Sequence, residues 1–138
     1  MKHKTSIQIR FKDIDKLGHV NNANHFTYFE LARIQYFNDV VGRNIDWDKD
    51  GMILANAKID YKLPIYLQDQ VFVYTYCTNI GTKSFELSYD IVRIARNGTE
   101  EVLATGSTVL VCFDYSKNQT VPVPEDWKQK MKTYEHLS

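Results

Sequence analysis

Ile7, Ile9 and Phe11 alternate with Ser6, Gln8 and Arg10, a period of two that predicts a half-buried strand over 5–11. A polar stretch from Asp13 to Asn22 follows. Asn24 to Val41 then carries Phe26, Phe29, Leu31, Ile34, Tyr36, Phe37, Val40 and Val41, and Gly42 stands where a helix would take its C′ residue. Apolar side chains around most of that helix predict burial on most sides. Next, Ile53, Ala55, Ala57, Ile59 and Tyr61 alternate with Leu54, Asn56, Lys58 and Asp60, a strand pattern that Pro64 ends. Val71–Thr78, Ser84–Arg96 and Glu101–Asp114 are rich in Val, Ile, Tyr, Phe and Thr and predict three further strands. Asn97-Gly98 supplies a tight turn between the last two. A helix-compatible tail runs from Pro124 to about Tyr134.

Strand, long buried helix, four strands and a short helix describe an α+β chain, read as one domain over 1–138. A curved antiparallel sheet wrapped around the helix is the simplest way to bury it. One sheet covers only part of a helix's surroundings, so a homo-oligomer is expected.

The 138 residues are 43% apolar and 25% charged, enough for a core without a metal or disulfide framework. Seventeen basic and seventeen acidic residues cancel, which argues against nucleic acid or an anionic membrane as partner and favours a small-molecule substrate. Cys77 and Cys112 lie in apolar strand runs and read as buried thiols of a reducing compartment. The N-terminal residues lack an apolar signal core, and no stretch reaches the roughly 20 apolar residues of a membrane span. A cytoplasmic location is therefore expected.

Chemistry concentrates in Arg10-Phe-Lys-Asp-Ile-Asp-Lys-Leu-Gly-His-Val-Asn-Asn22, immediately ahead of the helix. This segment resembles the signature of the 4-hydroxybenzoyl-CoA thioesterase-like acyl-CoA hydrolases, in which Asp-x-Asp-x-x-Gly leads into the central helix of a hotdog fold. Tyr61-Lys-Leu-Pro64 with Asp69, Gly81-Thr-Lys-Ser84 and Ala104-Thr-Gly106 extend the resemblance over nearly the whole chain. The resemblance implies that Asp15 is the catalytic carboxylate and that the N–H near Asn22 polarises the thioester carbonyl. It also implies that Lys83 and Ser84 contact the CoA arm, that no cofactor is needed, and that tetramers are built from dimers. Independently of it, a thioester carbon needs a nucleophile or activated water, and its oxygen needs donors, which a helix N-terminus provides. Asp15 suits either a nucleophile or a general base.

Asp13 reads as structural, since loop Asp commonly caps turns. Gly18 provides a positive-φ turn or room for substrate. His19 hydrogen-bonds substrate or Asp15, or is a solvated loop histidine. Asn21, Asn22 and Asn24 are also natural helix caps. Glu30 is the competing carboxylate, with pairing to Arg33 the duller reading. Asp46-Trp-Asp-Lys-Asp-Gly-Met-Ile53 matches the first eight positions of a calcium loop, but Ala57 stands where the bidentate acid belongs. The four histidines and two cysteines lack zinc-ligand spacing. Two rivals share the fold: an acyl-thioester hydratase or dehydratase using His25 and Glu30, and an acyl-CoA-binding domain that cleaves nothing.

Overall fold

The computed structural model describes residues 2–137. Its strands are β1 (His3–Ile7), β2 (Gly51–Tyr61), β3 (Val71–Ile80), β4 (Ser84–Ile94), β5 (Glu100–Asp114) and β6 (Gln119–Thr120). Helix α1 (Asn24–Tyr36) runs on into a π-helical turn (Phe37–Val41), and α2 (Glu125–Glu135) closes the chain. All pairings are antiparallel, in the order β1-β3-β4-β5-β2, with the short β6 beside β5.

Alternation along β4 turns Phe85, Leu87, Tyr89 and Ile91 inward and leaves Glu86, Ser88 and Asp90 less covered. Against this face α1 lays one stripe, His25, Tyr28, Phe29, Ala32 and Tyr36, at the three- and four-residue spacing of a helix face. The Phe29 ring stacks on Tyr89 at 4.5 Å. Across the far end of α1, Trp127 of α2 packs edge-on to Phe37 at 5.3 Å.

Three expectations are corrected. Burial around most of the helix is not found: Phe26, Leu31 and Ile34 are 39%, 47% and 53% exposed. The curled sheet shields only one flank of α1. The first strand stops at Ile7, and Phe11 lies 83% exposed in a 3-10 turn, Phe11–Asp13. Asp13 accepts the Arg10 backbone N–H there, which bends the chain out of the strand. In β2, a bulge between Leu54 and Asn56 interrupts the expected alternation. Opposed residues share a face, so pairing with buried Cys112, Leu110 and Thr108 puts Met52, Leu54 and Ala57 on the helix-facing side of the sheet, where Leu54 is still 50% exposed, and Ile53 on the other.

Gly106 is the place where the sheet admits the helix. A Cβ built there would lie 2.6 Å from the Phe29 ring and 2.5 Å from the Lys58 carbonyl oxygen. Gly106→Ala is expected to cost about 1–3 kcal/mol of stability, as overpacking of a tight core does. Denaturant unfolding checks this, and a loss below about 0.5 kcal/mol would mean that both the Phe29 ring and the Lys58 backbone can give way.

Candidate active site at the start of the central helix

The loop between β1 and α1 is built around Asp13, which is 1% exposed. Arg10 donates to its Oδ1 through Nε at 3.1 Å and Nη2 at 2.8 Å, and the Tyr28 hydroxyl donates to Oδ2 at 2.8 Å. Burial works to raise the Asp13 pKa, but the bonds from Arg10 and Tyr28 outweigh it and hold the carboxyl below its ordinary value. The Asp13 carbonyl accepts Asn21 N–H at 2.9 Å and Asn24 Nδ2 at 3.2 Å. Asp13 thus ties both ends of the loop to the helix.

Beyond it, Ile14 bridges Val20 and the chain reverses over Asp15–His19. Asp15 N–H donates to the His19 carbonyl at 3.1 Å, and Gly18 N–H to the Asp15 carbonyl at 3.0 Å. Gly18 takes φ +86°, with nothing near a would-be Cβ, so its contribution is conformational. The Asp15 side chain, half-buried, accepts Leu17 N–H at 2.9 Å and Asn21 Nδ2 at 3.3 Å.

Asn21 also accepts Ala23 N–H at 3.0 Å, so one side chain spans the carboxylate and the first turn of α1. The Asn22 carbonyl accepts the Tyr61 hydroxyl at 2.9 Å. Its own N–H finds no acceptor among the described residues. Asn22 lines a pocket of about 200 Å³ with His19, Val20, His25, Tyr61, Lys62, Leu63 and Pro64. His19 is half-buried, its Nδ1 lying 3.3 Å from the Val20 carbonyl, and it meets Asp15 only through its backbone. His25 is 2% exposed, and burial lowers its pKa.

The pocket's outer wall follows β2 and is pinned by Arg93, which donates to Asp69 at 3.1 Å and to the Pro64 carbonyl at 3.1 Å. Val20 N–H also donates to the Ile65 carbonyl at 2.7 Å, joining wall to loop. Asp15, Gly18, His19 and Asn22 therefore come together on one turn of chain, while Lys83 and Ser84 do not join them. Tyr61 lies opposite Ala104, and Ala104 opposite Ile91, whereas Ser84 sits seven residues further along β4. At about 3.3 Å per residue that is roughly 23 Å of strand. Lys83 instead donates to the Thr120 hydroxyl at 3.4 Å.

Glu30, expected in an apolar setting, has a 64% exposed side chain 3.9 Å from Arg33. It borders a separate pocket of about 350 Å³ with Phe26, Phe29, Leu54 and Thr108. His25 and Glu30 thus face different pockets of the protomer. Sequence reasoning missed Asn21 as the partner of Asp15 and Tyr61 as the partner of Asn22. Asn21 offered a signal in its nearness to Asp15, whereas the Tyr61 contact spans 39 residues and had none.

A half-barrel antiparallel sheet curled around one long helix, with a carboxylate loop leading into that helix, defines the hotdog fold. Residues 9–131 match the Thioesterase-like superfamily, and the chain belongs to that family. A thioesterase of Thermus thermophilus, solved in complex with coenzyme A and Zn, is 34% identical with a TM-score of 0.82, over 98% of this chain and 95% of that one. The 1,4-dihydroxy-2-naphthoyl-CoA hydrolase of Synechococcus elongatus is 31% identical over 131 residues, 88% of this chain and 90% of its own. The long-chain acyl-CoA thioesterase FadM of Escherichia coli is 24% identical over 135 residues, 94% of this chain and 96% of its own. None of the described helices is long and apolar enough to cross a membrane.

Proposed function

We propose that this protein hydrolyses the thioester of an acyl-CoA, with Asp15 as the reacting carboxylate and the Asn22 N–H as oxyanion donor. The observation that carries this reading is the Asn21 bridge, which couples the Asp15 carboxylate to the turn that bears the Asn22 N–H. A thioester seated with its carbonyl oxygen at that N–H develops negative charge where the helix dipole and a free donor meet it. Asp15 then attacks the carbonyl carbon, forming an acyl anhydride and expelling the CoA thiolate, after which water cleaves the anhydride. Alternatively Asp15 takes a proton from a water that attacks the same carbon. Both routes end in a carboxylic acid and free CoA. His19, in the pocket wall, is assigned to substrate contact, and Gly18 to shaping the turn. Lys83 and Ser84, at their distance, can meet only the nucleotide end of a long CoA.

The working unit is proposed to be a dimer or a tetramer of dimers. Strand β2 is an open sheet edge, and Ile53, Leu54, Phe26, Leu31 and Ile34 expose apolar surface on it and on the uncovered flank of α1. Ile34→Glu is expected to shift the protein toward monomer in light scattering after gel filtration. An exposed substitution costs a monomer no more than about 0.5 kcal/mol, so an unchanged mass would remove this flank from the interface.

The test of function follows free thiol from a panel of acyl- and aryl-CoAs with wild type, Asp15→Asn and Glu30→Gln. Thiol release that survives Glu30→Gln and fails in Asp15→Asn is expected. Hydration of an enoyl-CoA without thiol release would instead support a hydratase, and saturable binding without either reaction would support a binding domain.

A further inference from the structure

A chain of hydrogen bonds runs from the pocket wall to the Asp15 carboxylate. The Tyr61 hydroxyl, at the end of β2, donates to the Asn22 carbonyl at 2.9 Å. That carbonyl and the Ala23 N–H belong to one peptide group, planar and stiff, so holding one end fixes the other. Ala23 N–H donates to Asn21 Oδ1 at 3.0 Å, and Asn21 Nδ2 donates to Asp15 Oδ2 at 3.3 Å. Every link points the same way. Hydrogen bonds in such a chain polarise one another, so each strengthens the next.

The chain leaves little freedom at either end. Ala23 N–H can only donate, so it claims the amide oxygen of Asn21 and leaves the amide nitrogen facing the carboxylate. Turned over, the Asn21 side chain would offer Asp15 an oxygen, and two acceptors repel. At the other end, the Tyr61 ring meets the buried His25 imidazole edge-on at 4.8 Å, and that imidazole bears on the backbone of Asn21 and Asn22. Tyr61 is also paired with Ala104 of β5. Position 61 thus couples the sheet to a loop that precedes it by 39 residues.

We infer that Tyr61 is a positioning residue for the Asp15 carboxylate, acting through the Asn22–Ala23 peptide and the Asn21 side chain. The inference rests on the thioesterase reading above, which makes Asp15 the reacting carboxylate. Tyr61 is 44% exposed, so loss of its hydroxyl should leave the fold intact. Orientation of a reacting group enters the rate directly, and a small misplacement slows the chemical step. Tyr61→Phe keeps the ring in the pocket wall and removes only the donor.

The experiment measures kcat and KM for thiol release from an acyl-CoA that wild type cleaves, in wild type, Tyr61→Phe, Asn21→Ala and the double variant. Tyr61→Phe is expected to keep its Tm within about 2 °C of wild type. Its KM should stay within about 3-fold while kcat falls about 3–10-fold, the effect of one hydrogen bond. In the Asn21→Ala background, where the chain is already cut, the same substitution should change kcat by less than about 2-fold. A merely structural role would lower kcat equally in both backgrounds. That result, a kcat loss below about 3-fold in the wild-type background, a loss confined to KM, or a Tyr61→Phe that does not fold would overturn the proposal. If Asn21→Ala is too slow to measure, amide hydrogen exchange at Ala23 decides. Exchange at least about 3-fold faster in Tyr61→Phe supports the proposal, and unchanged exchange overturns it. If wild type cleaves no acyl-CoA, the thioesterase reading fails separately, and the same exchange measurement decides for Tyr61.

Discussion

Asp13→Asn is expected to lower stability by about 3 kcal/mol, the low end for breaking a buried charge pair. The low end applies because Arg10, left without its partner, has a side chain already 49% exposed and can turn to water. For a chain of this size the loss amounts to roughly 10 °C in Tm. The amide cannot reproduce the set of donors, from Arg10 and from Tyr28, that the carboxylate accepts. The pH dependence follows from the depressed Asp13 pKa. Its unfolded value is near 3.9, so the contribution is complete above that pH and disappears as pH falls through the lower folded value. The gap between wild type and Asp13→Asn should therefore narrow below about pH 4, as thermal unfolding in a series of buffers would record. A gap that widens on acidification would mean that the Asp13 carboxyl is stabilised in its protonated form.

Asp15→Asn should act in the opposite way, abolishing turnover while sparing the fold. Removing the group that attacks or accepts a proton is expected to lower kcat by 10²- to 10⁴-fold, the range for such catalysis. Stability should change by no more than about 0.5 kcal/mol, because Asp15 is not enclosed and an amide oxygen can still accept Leu17 N–H. KM should move little, since the pocket lining that includes Asn22 is left unaltered. The two adjacent acids would then separate into a structural residue that costs stability and a reacting residue that costs rate.

Order and type of elements were legible because β3, β4 and β5 are rich in β-branched and aromatic residues and the apolar-rich run of α1 meets no Gly or Pro until Gly42. The departures have local physical causes. Phe11 continues the alternation of Ile7 and Ile9, but Asp13 captures the Arg10 N–H and ends the strand first. The β2 bulge leaves no mark in a pattern of apolar and polar letters, because Ala55 fits either face. The helix reads as buried on most sides because its second apolar flank, Phe26, Leu31 and Ile34, is there in the sequence without a sheet to cover it. Within the site, the motif gave Asp15, Gly18, His19 and Asn22 as neighbours along the chain. Contacts that depend on remote segments, Tyr61 with Asn22 and Arg93 with the pocket wall, had to await the register of β2 against β5.

Single-turnover thiol release, with enzyme in excess over an acyl-CoA that wild type cleaves, isolates the chemical step in wild type and Asp15→Asn of equal Tm. A rate lower by at least 10²-fold in Asp15→Asn is expected. Equal rates in the two proteins would contradict the assignment of Asp15 as the reacting carboxylate.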